Sequence, residues 1–471
     1  MRARDFFAIA GFLAAGVAII AVPAFTLAAL GLAVVFALYA RQALWTSAVA
    51  ALALVPMWAV FSSTPAEAYS TAEISKNIEV GDPIRRAAII LLLLIGLAFM
   101  VHRPRELRRV NLLIWMALYM TVATASILWS QDHELTLRHS VIAVAVSVFS
   151  MGVACVYYGR QPLGHIHLVR VICWTSTAAC ALILALAIYQ QQFHVLDMAW
   201  RLGSTGHENQ ISQVAAIGFL AAVLTRTRRE IWSSRAGLLL AMGIPAVVLV
   251  LTKSRTTWLG VLVGIFAAEL WKRRRTRKRL AALLVMACAL AAAVSTSPVQ
   301  QLWKRGESER EMDTGSGRIE LWQKLWPDVR KHLWLGYGFG AFWSPDTVSA
   351  EAKKGQWAAT SAHNAYLDMV AQLGLVGLLV VLVAIGISTR NAWRLMKYPE
   401  YHEIGLTLLA LNAAVLAINV GESFLEDIDY YPMIVVLTFS VFVSHRLSVL
   451  HPTRSEGNGL ARVKVSGGRT P

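Results

Sequence analysis

Residues 363–388 read HNAYLDMVAQLGLVGLLVVLVAIGIS. From Met369 to Ser388 the stretch holds no charged side chain. About 20 apolar residues in helical form cross the hydrocarbon of a bilayer, so this stretch reads as a transmembrane helix. His363 and Asn364 stand at its mouth. The longest polar loop of the chain, residues 298–362, runs up to them. A histidine placed there sits where membrane meets water.

The same kind of segment recurs along the whole chain. Residues 6–40 are apolar throughout and too long for one straight span, so they divide in two near Pro23. Further segments cover 43–61, 86–101, 110–129, 139–158, 167–189, 211–225, 236–251, 256–270, 280–297, 363–388, 404–420 and 430–445. Segments 211–225 and 256–270 are short and read as tilted or partly interfacial. The expected fold is all-α, a polytopic integral membrane protein of about 12–14 transmembrane helices. With 56% hydrophobic and 15% charged residues, the chain carries less charge than a soluble globular domain.

The formal charge of +16 suggests nucleic acid until its distribution is read. Basic residues gather in alternate loops: Arg103, Arg105, Arg108 and Arg109; Arg226, Arg228, Arg229 and Arg235; the run Lys272–Arg279; Arg390, Arg394 and Lys397; Arg446 and Arg454. The positive-inside rule accounts for this pattern with no nucleic acid partner. It puts both termini in the cytoplasm. The outward loops are then 62–85, 130–138, 190–210, 252–255, 298–362 and 421–429. The start, Met1-Arg-Ala-Arg4 followed by apolar residues to Ala40, reads as a retained helical hairpin. The chain divides into N-terminal transmembrane helices (1–297), the long loop (298–362), C-terminal transmembrane helices (363–446) and a basic, Gly-rich, disordered tail (447–471). Cys155, Cys173, Cys180 and Cys288 lie in apolar segments without metal-ligand spacing and read as small packing residues.

Within the long loop, residues 316–326 predict an amphipathic helix. Ser316 is its expected N-cap, and Ile319, Trp322 and Trp326 share one face. Pro327 is expected to break it or to open the next turn. The run Gly336-Tyr-Gly-Phe-Gly340 forces irregular backbone. Tryptophans at 322, 326, 334, 343 and 357 fit a loop lying on the membrane interface.

Outward arginines run against the topological bias. Arg201, Arg255 and Arg318 all fall outside in this reading. Arg255 lies in the very short link Thr252-Lys253-Ser254-Arg255, at the membrane edge. A guanidinium suits phosphate oxygens, and it equally suits a lipid headgroup or an outer-loop acid. His363, near such cations, favours its neutral form and accepts a proton; the other reading is an interfacial histidine bonded to a nearby carbonyl. Tyr366 and Leu367 share its helix face. Asp368 lies about 140° around the helix and is not expected to orient the imidazole. Gly374 and Gly377 are expected to let another helix approach closely. No His/Cys cluster or Asp-x-Asp pair suits a metal. Glu426, Asp427 and Asp429 read as a solvated acidic loop.

These residues carry a resemblance. His363-Asn364, nine residues, then Gly374-Leu-Val-Gly377 fits the histidine motif of the bacterial O-antigen ligases, within the wider O-antigen ligase/polymerase superfamily. Looser matches come in order: Arg201-Leu-Gly with Asn209, Thr252-x-Ser-Arg255, and Gly317-Arg318 with Trp322. The similarity covers roughly residues 195–390. It implies a glycosyltransferase of the bacterial inner membrane that works on the periplasmic side without metal or cofactor. The implied donor is O-antigen on undecaprenyl diphosphate, and the acceptor is lipid A–core, both met among membrane lipids. His363 would be the general base. Arg255 and Arg318, with Arg201, would hold the diphosphate. Asn364, Tyr366, Trp322, Lys253 and Asn209 would support them. Three rivals remain. A protein O-oligosaccharyltransferase usually carries a large soluble C-terminal extension. An O-antigen polymerase tends to rely on arginine-rich loops. A transporter of lipid-linked sugars needs charges deep within spans, whereas Asp368 and Glu269 lie near segment ends.

Overall fold

The structure, a computed structural model, describes residues 83–102, 112–158, 164–189, 202, 208–271, 317–344, 361–423, 425 and 431–450. Among these are eleven α-helices and no β-strand. They are α1 (Pro83–His102), α2 (Leu112–Ala125), α3 (His133–Tyr158), α4 (Gly164–Tyr189), α5 (Glu208–Leu224), α6 (Arg235–Thr252), α7 (Arg255–Trp271), α8 (Arg318–Val329), α9 (Ala365–Leu395), α10 (His402–Ile418) and α11 (Tyr431–Leu450). Six of them, α3, α4, α6, α9, α10 and α11, are long and apolar enough to cross a membrane. This is an all-α, multi-pass membrane protein. The expected segments 6–40, 43–61 and 280–297 lie outside the described residues, as do Arg201, Ser316, Cys288, Glu426, Asp427, Asp429 and residues 451–471.

The two short segments are both helices of the bundle. Segment 211–225 is no interfacial helix: α5 is buried along nearly its whole length at the centre of the bundle. Segment 256–270 is α7, packed lengthwise against α10. Gly260 and Gly264 permit that approach, since a Cβ on either would stand under 3 Å from Ile418 or the Ala410 carbonyl. Helix α11 also runs to Leu450, past the expected start of the tail.

The bundle has two distinct ends. At one end, Arg228 pairs with Glu403 and donates to the Pro399 carbonyl, while Arg170 reaches the Glu230 and Ile231 carbonyls. The basic turn between α5 and α6 therefore meets the start of α10. The opposite ends of these helices bring together the start of α5, the α6–α7 turn, the start of α9 and the turn after α10.

Helix α9 is broken. Gly374 has φ 67° and ψ −172°, outside helical values, and residues 333–340 thread into the gap. Tyr337 N donates to Ala371 O (2.9 Å), Gly338 N to Gln372 O (3.0 Å) and Leu375 N to Leu333 O (2.9 Å). The Gln372 side chain accepts from Gly340 N at 2.7 Å. On its other side the segment is tied to the α2–α3 turn, through Gln131 N to Tyr337 O (3.1 Å) and Phe339 N to Ser126 Oγ (3.0 Å). Gly374 thus does not serve helix–helix packing as expected. It admits a loop backbone: a Cβ there would sit 2.1 Å from the Trp334 carbonyl oxygen.

The amphipathic helix is α8, and its cap differs from the expectation. Gly317, with φ 78°, is the N-cap and offers no side-chain bond. Pro327 lies inside the helix, whose last turn continues to Val329. The face also divides. Leu321, Leu325 and Val329 pack with Tyr337, Phe342, Trp343, Ala362, Val370 and Ala371 in a second core, each buried aliphatic side chain stabilising by about 1.5–3 kcal/mol. Ile319 and Trp326 instead stay exposed.

Candidate active site

One buried carboxylate gathers the site. Glu422, 4% exposed, lies in the turn after α10. Its Oε1 accepts from Asn209 Nδ2 of α5 at 2.7 Å, from Arg318 Nη2 of α8 at 2.9 Å and from Thr256 Oγ1 of α7 at 3.3 Å. Its Oε2 lies 3.8 Å from His363 Nδ1. That spacing is beyond a hydrogen bond but within an ion-pair separation for a protonated ring. Elements from four parts of the chain therefore meet on one side chain. A carboxylate so far from water is tolerated because it is paired and multiply hydrogen-bonded.

Local structure explains each placement. His363 sits at φ 48°, in the left-handed region that non-glycine residues rarely adopt. Asn364 follows as N-cap of α9, accepting from Tyr366 N and Leu367 N at 3.1 Å each. Ala365 N donates to both the Asn419 and Glu422 carbonyls at 3.0 Å, seating the start of α9 on the end of α10. Trp322 Nε1 donates to Ala362 O at 2.8 Å, and Tyr366 Oη donates to Leu416 O at 2.6 Å. Trp322 and Tyr366 therefore brace the histidine turn.

The α6–α7 turn is equally constrained. Lys253 caps α6 in the left-handed conformation, at φ 50°. Buried Ser254 donates to Asn209 Oδ1 at 2.9 Å, and Ser212 and Thr257 share a 2.7 Å hydrogen bond. Arg255 opens α7 between Ser254 and Thr256, both members of this network, and is partly buried. Arg201 lies outside the described residues. Its neighbour Leu202 is buried and donates its N–H to the Leu251 carbonyl at 2.8 Å, in the last turn of α6.

Sequence reasoning thus selected His363, Asn364, Arg318, Asn209, Trp322 and Tyr366, and the structure brings them together. It missed Glu422, which lies in the expected outward loop 421–429. The available signal was the one used for Arg255: a charge placed directly after an apolar segment, 404–420, at the membrane edge. The side chains of Arg318 and His363 remain 20% and 21% exposed, so a substrate can reach them. A guanidinium and an imidazole around one buried carboxylate, at one end of a helical bundle with six helices fit to cross a membrane, define a multi-pass membrane protein with a charged, partly open site.

Comparison with known proteins agrees with that class. Residues 238–382 match the family model described as O-Antigen ligase, a span holding Lys253, Arg255, Arg318, Trp322, His363, Asn364 and Tyr366. The chain is also 22% identical over 284 residues to the Exopolysaccharide production protein ExoQ of Rhizobium meliloti (strain 1021). That alignment takes in 57% of this chain, and the chain spans 62% of the relative's length. Both matches support the O-antigen ligase/polymerase superfamily, as the histidine motif implied.

Proposed function

We propose that the protein transfers O-antigen polysaccharide from undecaprenyl diphosphate to a sugar hydroxyl of lipid A–core on the periplasmic face of the inner membrane. The observation that carries this reading is the convergence of His363 and Arg318 on Glu422. The basic turns gathered at the opposite end of the bundle support the orientation.

In this reading His363 takes the proton of the acceptor hydroxyl as its oxygen attacks the anomeric carbon. The bond from that carbon to the diphosphate breaks, and undecaprenyl diphosphate leaves. Arg255 and Arg318 meet the charge that grows on the leaving oxygen, with Arg201 contributing to the same anionic site. Glu422 holds the Arg318 fork with Oε1 and faces the imidazolium with Oε2. No metal is needed, because the arginines supply the positive charge. Direct displacement inverts the anomeric centre.

The relationship to an exopolysaccharide production protein favours a second reading. There the attacking hydroxyl belongs to another lipid-linked glycan, and the product is a longer polymer. The test mixes purified protein, undecaprenyl-diphosphate glycan and lipid A–core with EDTA, beside His363→Ala protein. A ladder of glycosylated lipid A–core, lost in the variant, supports the ligase. Bare lipid A–core with a lengthened donor glycan supports the polymerase. A modified protein acceptor would point to an O-oligosaccharyltransferase.

A further inference from the structure

Asp368 is fully buried in the first turn of α9 and has no part in the chemistry above. Its carboxylate accepts from three separate segments. Trp343 Nε1 of the long loop donates to Oδ1 at 2.9 Å. Ala362 N donates to Oδ1 at 3.1 Å and to Oδ2 at 2.9 Å. The Ser423 hydroxyl donates to Oδ2. Ala362 immediately precedes His363, and Ser423 immediately follows Glu422. One buried carboxylate therefore holds the chain on the near side of both members of the His363–Glu422 pair.

The backbone at His363 needs such a hold. A left-handed histidine persists only when its surroundings over-determine it. On one side Asn364 caps α9. On the other, Ala362 is fixed on both sides of its Cα, its N–H by Asp368 and its carbonyl by Trp322. All three partners of Asp368 are donors, so the site calls for a side chain with two acceptor oxygens. An asparagine offers one acceptor and must turn its NH₂ toward another donor.

We propose that Asp368 is a positioning residue that sets the distance between His363 and Glu422 by clamping Ala362 and Ser423. It lies within electrostatic range of His363, and its hydrogen bonds hold the Ala362 N–H and the Ser423 hydroxyl, the neighbours of the pair. This rests on His363 acting as the base. Ser423 and Trp343 become part of the same device, and the long loop is coupled to the site through the indole of Trp343.

The test compares full-length parent, Asp368→Asn, Ser423→Ala, Trp343→Phe, His363→Ala and the Asp368→Asn/His363→Ala double variant in the transfer assay. Rates are normalised to folded protein by thermal unfolding in detergent. The expected result is a fall in kcat on the order of 10²-fold for Asp368→Asn, with KM for the glycan donor within about twofold. The double variant should be no slower than His363→Ala, because a positioning residue has nothing left to position. If Asp368→Asn does not fold, Ser423→Ala and Trp343→Phe keep the carboxylate and remove one donor each; both should lower kcat severalfold. Unchanged kcat per folded protein, a parallel change of kcat and KM, or a double variant slower than His363→Ala overturns the proposal. A His363→Ala protein as active as the parent overturns the reading of the site as well, and the two failures are told apart by that control.

Discussion

Arg318 and Glu422 form a 2.9 Å ion pair that joins helix α8 of the long loop to the turn after α10. Gly421 lies under the guanidinium: a Cβ there would stand 3.0 Å from Arg318 Nη1 and 2.4 Å from Thr256 Cγ2. The pair counters a carboxylate that would otherwise be buried uncompensated.

Glu422→Gln should therefore weaken transfer more than binding. The amide keeps the volume and one acceptor but loses the charge opposite His363 and Arg318. We expect kcat per folded protein to fall on the order of 10²-fold, read in the lipid A–core assay. A fall under twofold would remove Glu422 from the working site.

Gly374→Ala should be far more damaging than Gly386→Ala, although both lie in α9. The first would press a Cβ to 2.1 Å from the Trp334 carbonyl, at φ 67°. The second meets nothing within 4 Å. The expected loss for Gly374→Ala is about 3 kcal/mol or more. Gly386→Ala should be neutral or stabilising by up to about 1 kcal/mol. Thermal midpoints in detergent decide, and equal midpoints would contradict the threaded loop.

Asn364→Ala removes the acceptor for two N–H groups at the start of α9. The cost should be about 1 kcal/mol, and Asn364→Ser or Asn364→Asp should recover most of it. A serine variant as unstable as the alanine one would rule out capping as the role of this side chain.

Lys253→Gly should separate stability from function. Lys253 ends α6 at φ 50°, a position where glycine pays no Cβ penalty, so the variant should gain up to about 1 kcal/mol. If the lysine also serves the anionic site, the donor KM should rise in the same protein. An unchanged KM would leave Lys253 a structural cap only.

Much of this was legible along the chain because its physics is local. Apolar runs announce spans, and α1, α3, α4, α6, α10 and α11 lie where those runs placed them. His363 and Asn364 stand at the mouth of α9, where the change from polar loop to apolar run placed them. The sequence was silent where partners are distant. Nothing near Asp368 tells that Ser423 will donate to it, and nothing near Glu422 tells that Asn209, Thr256 and Arg318 will converge there. Gly374 misled for a related reason: a glycine in an apolar helix signals close approach, but not whether a helix or a loop approaches.

The threaded segment also bears on how the protein is made. Residues 333–340 leave the ribosome before α9, yet their hydrogen-bond partners at 371–376 lie within α9. The slot they occupy exists only once both halves of that helix are in place. Glu422 follows later still. The histidine turn, the tryptophan brace and the guanidinium clamp thus cannot be assembled in the order of synthesis. The site is latched shut from its own later sequence, and a nascent chain arrested before residue 422 carries every cation of the site without the carboxylate that gathers them.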